Sequence, residues 1–256
     1  MIVADIFRLI DSVAPFSSQE GWDNSGLIVG SLSAPVSGIL FALDATEPVI
    51  REACRVGASL IVTHHPLMIS PRRSITDDNA EGRLIGSLIR NGISLIAAHT
   101  NLDRAPGGIN DTLARLSGIS VFSGDGFFRS GLLPDPVQVS DYSSFLAGSL
   151  SASVRVMGPS DRFIQKIGLS SGGGGDAWQE AALTGCDAFV TGEMKHHLAL
   201  SAADAGLVVL ECGHFATEEP GIRAFAETLQ KEINRIKYNI GVYVSEIPAY
   251  SFSQQP

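Results

Sequence analysis

Leu60–Thr63 is a run of apolar and β-branched residues, the composition of a strand buried on both faces. His64 and His65 follow at once, and Pro66 ends the run because proline has no N–H to give a sheet. A strand that stops this sharply at two imidazoles points to a parallel α/β sheet. There, ligands bind in the crevice beyond the carboxyl ends of the strands. Imidazole is also the commonest metal-ligating side chain.

The 256 residues suffice for one large or two small domains. At 45% hydrophobic and 18% charged, the chain can bury a sizeable core and is not disordered. A net charge of −9 and the lack of a visible basic patch argue against a nucleic-acid partner. Cys54, Cys186 and Cys212 form no CxxC pair and read as buried thiols. The start, MIVADIFRLIDSVAP, reads as an amphipathic helix rather than a signal peptide. No apolar stretch approaches the roughly 20 residues of a membrane span, so a cytoplasmic location is expected.

Other strands end in the same way. Gly38–Leu43 is a strand, Glu47–Val56 a helix, and residues 67–80 an irregular loop. Glu81–Asn91 is a helix closed by Gly92. Ile93–Ala97 then runs into His99, with Asp103 four residues on, and Gly107–Leu116 is a helix capped near Asn110. Residues 119–165 are richer in Gly, Ser and Pro, which places a domain boundary near residue 125. Helix Asp141–Leu150 and strand Val154–Met157 follow. The βα pattern resumes with strand Lys166–Leu169 and a glycine-rich turn, Ser170–Trp178. Strand Ala188–Thr191 ends at Gly192-Glu193, and Met194–Ala205 is a helix carrying His196 and His197. Leu207–Leu210 runs toward His214 and Glu218, before a helix over Pro220–Ile236 and a last strand, Gly241–Glu246.

Two pairs of stretches echo each other. GASLIVTHH (Gly57–His65) parallels GCDAFVTGE (Gly185–Glu193), and GISLIAAH (Gly92–His99) parallels GLVVLECG (Gly206–Gly213). This indicates two related α/β halves, with Gly192-Glu193 standing where the first half has His64-His65.

The residues at strand ends are His64, His65, His99, Asp103, Glu193, His214 and Glu218. Imidazoles and carboxylates without thiolates suit zinc, manganese, iron or cobalt. Their number exceeds one tetrahedral site and fits two ions about 3.5–4 Å apart, as in hydrolytic centres. His99 is a candidate for orienting Asp103, and Glu193 for acid–base work. His196 and His197 read as solvated. The glycine run lacks the lysine of a P-loop and reads as a flexible turn. Asp-Asn-Ser-Gly, residues 23–26, reads as a structural turn.

Five segments together, GWDNSGLIVG, VTHHPLM, AAHTNLD, TGEMKHH and His214–Glu218, resemble the GTP cyclohydrolase I type 2 homologue family. Its members are also called NGG-interacting-factor-like or dinuclear-metal proteins. The motifs fall in the family's order from residue 21 to 221, while Phe127–Gly131 departs from it. The resemblance implies two similar α/β halves, residues 1–125 and 126–210, with 211–256 returning to the first. It also implies a dinuclear site in the crevice between the halves. The ligands it implies are His64, His65, Asp103, His214 and Glu218, with two divalent metal ions as cofactors and a homo-oligomer, a hexamer, as the assembly. The activity implied is hydrolysis of a purine nucleotide, at carbon 8 if the substrate is GTP, with His99 or Glu193 moving protons. A non-catalytic metal-binding regulator or scaffold is the alternative, and a metal-dependent phosphoesterase a weaker one.

Overall fold

A computed structural model describes residues 1–247, and it shows an α/β chain with two separate sheets. Its contacts divide it into two units. One holds Met1–Ala105 and the chain from Ile222 onward, the other Pro106–Gly221. The break expected near residue 125 therefore falls twenty residues earlier, and the return to the first unit begins at 222 rather than 211. The far end of the expected return, 248–256, lies outside the described residues. No helix among those residues is long and apolar enough to cross a membrane.

The first unit opens with helix α1 (Val3–Val13), then β1 (Gly26–Val29), β2 (Gly38–Ala42), α2 (Glu47–Val56) and β3 (Leu60–Thr63). Next come α3 (Ala80–Arg90), β4 (Ser94–Ala97) and a short helix, α4 (Thr100–Arg104). The second unit begins with α5 (Ile109–Leu116), β5 (Phe122–Ser123), β6 (Arg129–Gln138), α6 (Val139–Ser149), β7 (Arg155–Met157) and β8 (Phe163–Ser170). It continues with α7 (Trp178–Leu183), β9 (Ala188–Thr191), α8 (His196–Asp204) and β10 (Val208–Glu211). Helix α9 (His214–Arg235) spans the second division, and β11 (Gly241–Val244) closes the first sheet.

The first sheet has the order β1-β4-β3-β2-β11, all parallel except β1. The second has the order β5-β6-β8-β9-β10-β7, in which only β8, β9 and β10 run parallel. Every residue of β2, β3, β4 and β9 is buried, which is why these strands read as unbroken apolar runs. On one face of the first sheet Leu40, Ala42, Ile61 and Leu95 pack with Val49, Ile50 and Ala53 of α2 and with Ile85 and Leu88 of α3. The other face carries Phe41, whose ring meets Phe225 of α9 edge-on at 5.9 Å.

The repeat seen in the sequence is the parallel core of each sheet. The order strand–helix–strand–helix–strand runs β2-α2-β3-α3-β4 in one unit and β8-α7-β9-α8-β10 in the other. Before the second and third strand of each trio the chain turns through a left-handed glycine. These are Gly57 (φ 73°) and Gly92 (φ 64°) in the first unit, and Gly185 (φ 71°) and Gly206 (φ 86°) in the second.

Elements β6, α5 and α9 depart from expectation, as does the short helix α4. Strand β6 contains Pro134 and Pro136, which hid it. It tolerates them because its register with β8 shifts between Leu132 and Val137, where no ladder bond is required. This strand lies within the Gly-, Ser- and Pro-rich stretch from which a domain boundary near residue 125 is expected. Helix α5 begins at Ile109 rather than Gly107, and Asn110 lies inside it instead of capping it, its side chain accepting a bond from Ser171 N at 2.9 Å. Helix α9 starts at His214, six residues before Pro220. Pro220 therefore lies inside the helix, and the next residue packs closely on α5, where a Cβ on Gly221 would lie 2.9 Å from Ile109 Cα. Cys54 is exposed on α2, whereas Cys186 and Cys212 are buried as expected.

A Cβ at Gly57 would meet nothing within 4 Å, so a side chain there costs only the left-handed backbone. Gly57→Ala is expected to lower stability by about 1–2 kcal/mol. Urea unfolding would show this as a lower midpoint with an unchanged slope.

Candidate metal centre

In the first sheet Ala42, Thr63 and Ala97 lie side by side at the carboxyl ends of β2, β3 and β4. The ladder continues a residue or two beyond them. His64 N donates to Ala42 O (3.3 Å), His65 N to Leu43 O (3.0 Å) and Ala98 N to Thr63 O (2.8 Å). Thr63 Oγ1 also donates to His65 O at 2.8 Å. The backbone of the histidine pair is thus fixed before its side chains do anything.

Three imidazoles gather there. Ring centroids are 5.0 Å apart for His64 and His65, 5.1 Å for His64 and His99, and 5.6 Å for His65 and His99. One nitrogen from each lies within 4.8 Å of the others, a grouping that can hold a metal ion. The Nδ1 atom of every ring sits against an oxygen: Ala98 O for His64 (2.9 Å), Asp44 Oδ1 for His65 (2.8 Å) and Asp23 Oδ1 for His99 (2.8 Å). An oxygen on Nδ1 selects the tautomer with the proton there and leaves the Nε2 lone pair for an ion.

Asp103 joins this cluster through α4, which the sequence did not reveal. His99 is the residue before that helix, and Asp103 N donates back to His99 O at 3.0 Å. The buried Asp103 places Oδ1 3.5 Å from Nε2 of the fully buried His64. That spacing is long for a hydrogen bond. It is close to the ~3.4 Å that separates two ligands on one tetrahedral ion with bonds near 2.1 Å. The side chain of His99 is held by Asp23, so the expected pairing of His99 with Asp103 runs through the backbone instead.

Asp23 is itself anchored by Thr100 Oγ1, by Ser25 Oγ (2.8 Å), by Asn24 N (2.7 Å) and by Thr100 N (3.1 Å). Burial pushes its carboxyl up, but bonds from His99, Thr100 and Ser25 outweigh this and hold it well below the usual carboxylate range. Asp23 is therefore an anion at neutral pH, and the turn it belongs to does more than reverse the chain.

The second unit has its own pair of donors at the carboxyl ends of β9 and β10. His214 and Glu218 stand one turn apart on the first two turns of α9, with Nε2 and Oε2 3.0 Å apart. Glu193 follows β9 and brings Oε2 to 3.4 Å from His214 Nδ1. Glu218 is buried, while the Glu193 side chain is 63% exposed. The glycine-rich loop is neither a phosphate cradle nor slack. Gly172 N donates to Thr217 Oγ1 (3.0 Å), and Gly172 (φ 53°) passes so near Glu218 that a Cβ would lie 1.8 Å from Oε1. His196 and His197 are exposed at the start of α8 and belong to neither cluster.

The donors are nitrogen and carboxylate oxygen, and the nearby thiol does not compete. Cys212 packs into the apolar core of the second unit, where burial, with Glu211 adding, pushes its thiol up to about 12. Such a donor set fits borderline or hard divalent cations.

The family model for Duf34/NIF3 (NGG1p interacting factor 3) matches residues 1–249. The chain belongs to the DUF34/NIF3 family. A Clostridium perfringens protein named GTP cyclohydrolase 1 type 2 homolog is 36% identical over 244 residues, covering 91% of this chain and 93% of that one. A Clostridium acetobutylicum protein of the same name is 31% identical and covers 98% of both. The crystal structure of Staphylococcus aureus protein SA1388 superposes with a TM-score of 0.93 at 29% identity, over 98% of each chain.

Within this DUF34/NIF3 chain, Asp44, Asp23 and Gly172 escaped the sequence reading. Asp44 follows β2 much as His64 follows β3, so the strand-end rule applied to β2 would have found it. Gly172→Ala is expected to keep the circular dichroism of the parent while sharply weakening the uptake of added Zn²⁺ or Mn²⁺, because the new methyl displaces Glu218. Equilibrium dialysis measures that loss.

Proposed function

We propose that this protein is a metal-dependent hydrolase acting on a purine nucleotide. In this reading His64, His65, Asp103, His214 and Glu218 are the ligands of two divalent ions. The observation that supports it is the oxygen on Nδ1 of His64 and of His65, because such contacts leave Nε2 of each imidazole to ligate. The nucleotide is suggested by the names of the relatives and by no contact in the chain itself. Hexameric assembly rests on the family resemblance alone.

Bound ions would polarise the attacked group and make water nucleophilic at neutral pH. The chain's own residues then have distinct tasks. Ala98 O and Asp44 keep His64 and His65 in the ligating tautomer. His99 takes the proton at Nε2, since its Nδ1–H is held by Asp23. The Asp23 anion stabilises the imidazolium that forms and fixes the ring's orientation, as the carboxylate does in a Ser-His-Asp triad. The exposed Glu193 carboxylate exchanges protons with solvent and steadies His214 at Nδ1.

The test is purified protein loaded with zinc, manganese or iron and incubated with GTP. Turnover is expected above an Asp103→Ala control in at least one metal, and its absence in all of them overturns the reading. The His99→Ala variant is expected to retain its metal and lose about 10²–10⁴-fold in kcat. Loss of metal with His99 would make it a ligand and not the proton acceptor.

A further inference from the structure

Trp22 stands out for its exposure. It is 59% exposed, on a turn whose backbone is held by hydrogen bonds. Glu20 N donates to Thr100 Oγ1 (3.0 Å), Asp23 N to Glu20 O (3.0 Å) and Ser25 N to Gln19 Oε1 (2.8 Å). The next residue, Asp23, is tied to His99 and Thr100. Single exposed apolar side chains are ordinary on a protein surface. This one is different because it touches the candidate centre: the indole meets the His99 ring at 5.9 Å between centroids and 77° between planes.

A near-perpendicular contact leaves a large part of the indole uncovered. A planar ring laid on it would stand at that same steep angle to the imidazole, beside the residue assigned to proton transfer. Indole is a good platform for a nucleobase, since stacking depends on the π-face and hardly on the base's hydrogen-bonding edge. A sugar phosphate has no aromatic face to stack on it and gains less than a nucleobase does. The neighbouring Asn24 ties the turn to the following loop, its Nδ2 donating to Met68 O at 2.7 Å.

We infer that Trp22 is the platform on which the substrate's planar heteroaromatic ring stacks, so that the substrate class is a nucleobase-bearing compound and not a simple phosphate ester. This rests on the hydrolase reading above for the location of the chemistry, but its test does not need turnover.

Calorimetric titration of the metal-loaded protein with guanosine monophosphate and with ribose 5-phosphate provides that test. The wild type is expected to bind the nucleotide at least about tenfold more tightly than the sugar phosphate. Trp22→Phe is expected to stay within a few-fold of wild type, and Trp22→Ala to lose about ten- to a hundredfold for the nucleotide alone. Equal affinity of the two ligands overturns the inference. So does wild-type affinity in Trp22→Ala, or a Trp22→Ala effect confined to oligomeric mass, or no nucleotide binding by the wild type. Trp22-dependent binding without GTP turnover would sink the hydrolase reading and leave the platform standing. Turnover with an unchanged KM in Trp22→Ala would do the reverse.

Discussion

The hydrogen bonds on the Nδ1 atoms of His64, His65 and His99 are what the rest of the first unit is built to supply. A histidine on a surface loop rotates and changes tautomer freely. Here Ala98 O, Asp44 and Asp23 each take one ring. Those acceptors come from three places: the end of β4, the end of β2 and the turn before β1. The sheet must hold its register for them to arrive together. The pairing of Ala42, Thr63 and Ala97 at the strand ends meets that condition.

The second unit reaches its donors by the same topology with different residues. Glu193 replaces the histidine pair after the central strand, and the third strand leads to His214. Helix α9 then adds Glu218 one turn later, under a loop that has room for it only because residue 172 is glycine. A duplicated βα frame thus carries an imidazole-rich rim in one unit and a carboxylate-rich rim in the other. The frame is dictated by burial and left-handed glycines, and the chemistry by the residues just past each strand end.

Much of this was legible in advance, for identifiable reasons. Helix Glu47–Val56 and strands Leu60–Thr63 and Ala188–Thr191 match expectation residue for residue, because the helix is bounded by Thr46, Pro48 and Gly57 and the strands are short unbroken apolar runs. The donor residues were legible because they sit at the ends of such runs. The features that stayed hidden depend on tertiary contact. Strand β6 is interrupted by prolines that only a bulged register accommodates. Helix α4 has five residues, too few for a periodicity. Helix α9 starts six residues before Pro220, where a proline reads as a helix start. The role of Asp23 needs a partner 76 residues away, and no local pattern announces that.

The central claim is that these side chains are organised to hold metal, and its most direct test is elemental analysis of metal per chain in the purified protein and in His65→Ala. The account predicts two equivalents of divalent metal in the wild type and a clear loss in the variant. A wild type that takes up no metal when it is supplied, or a variant that retains the full complement, would contradict it.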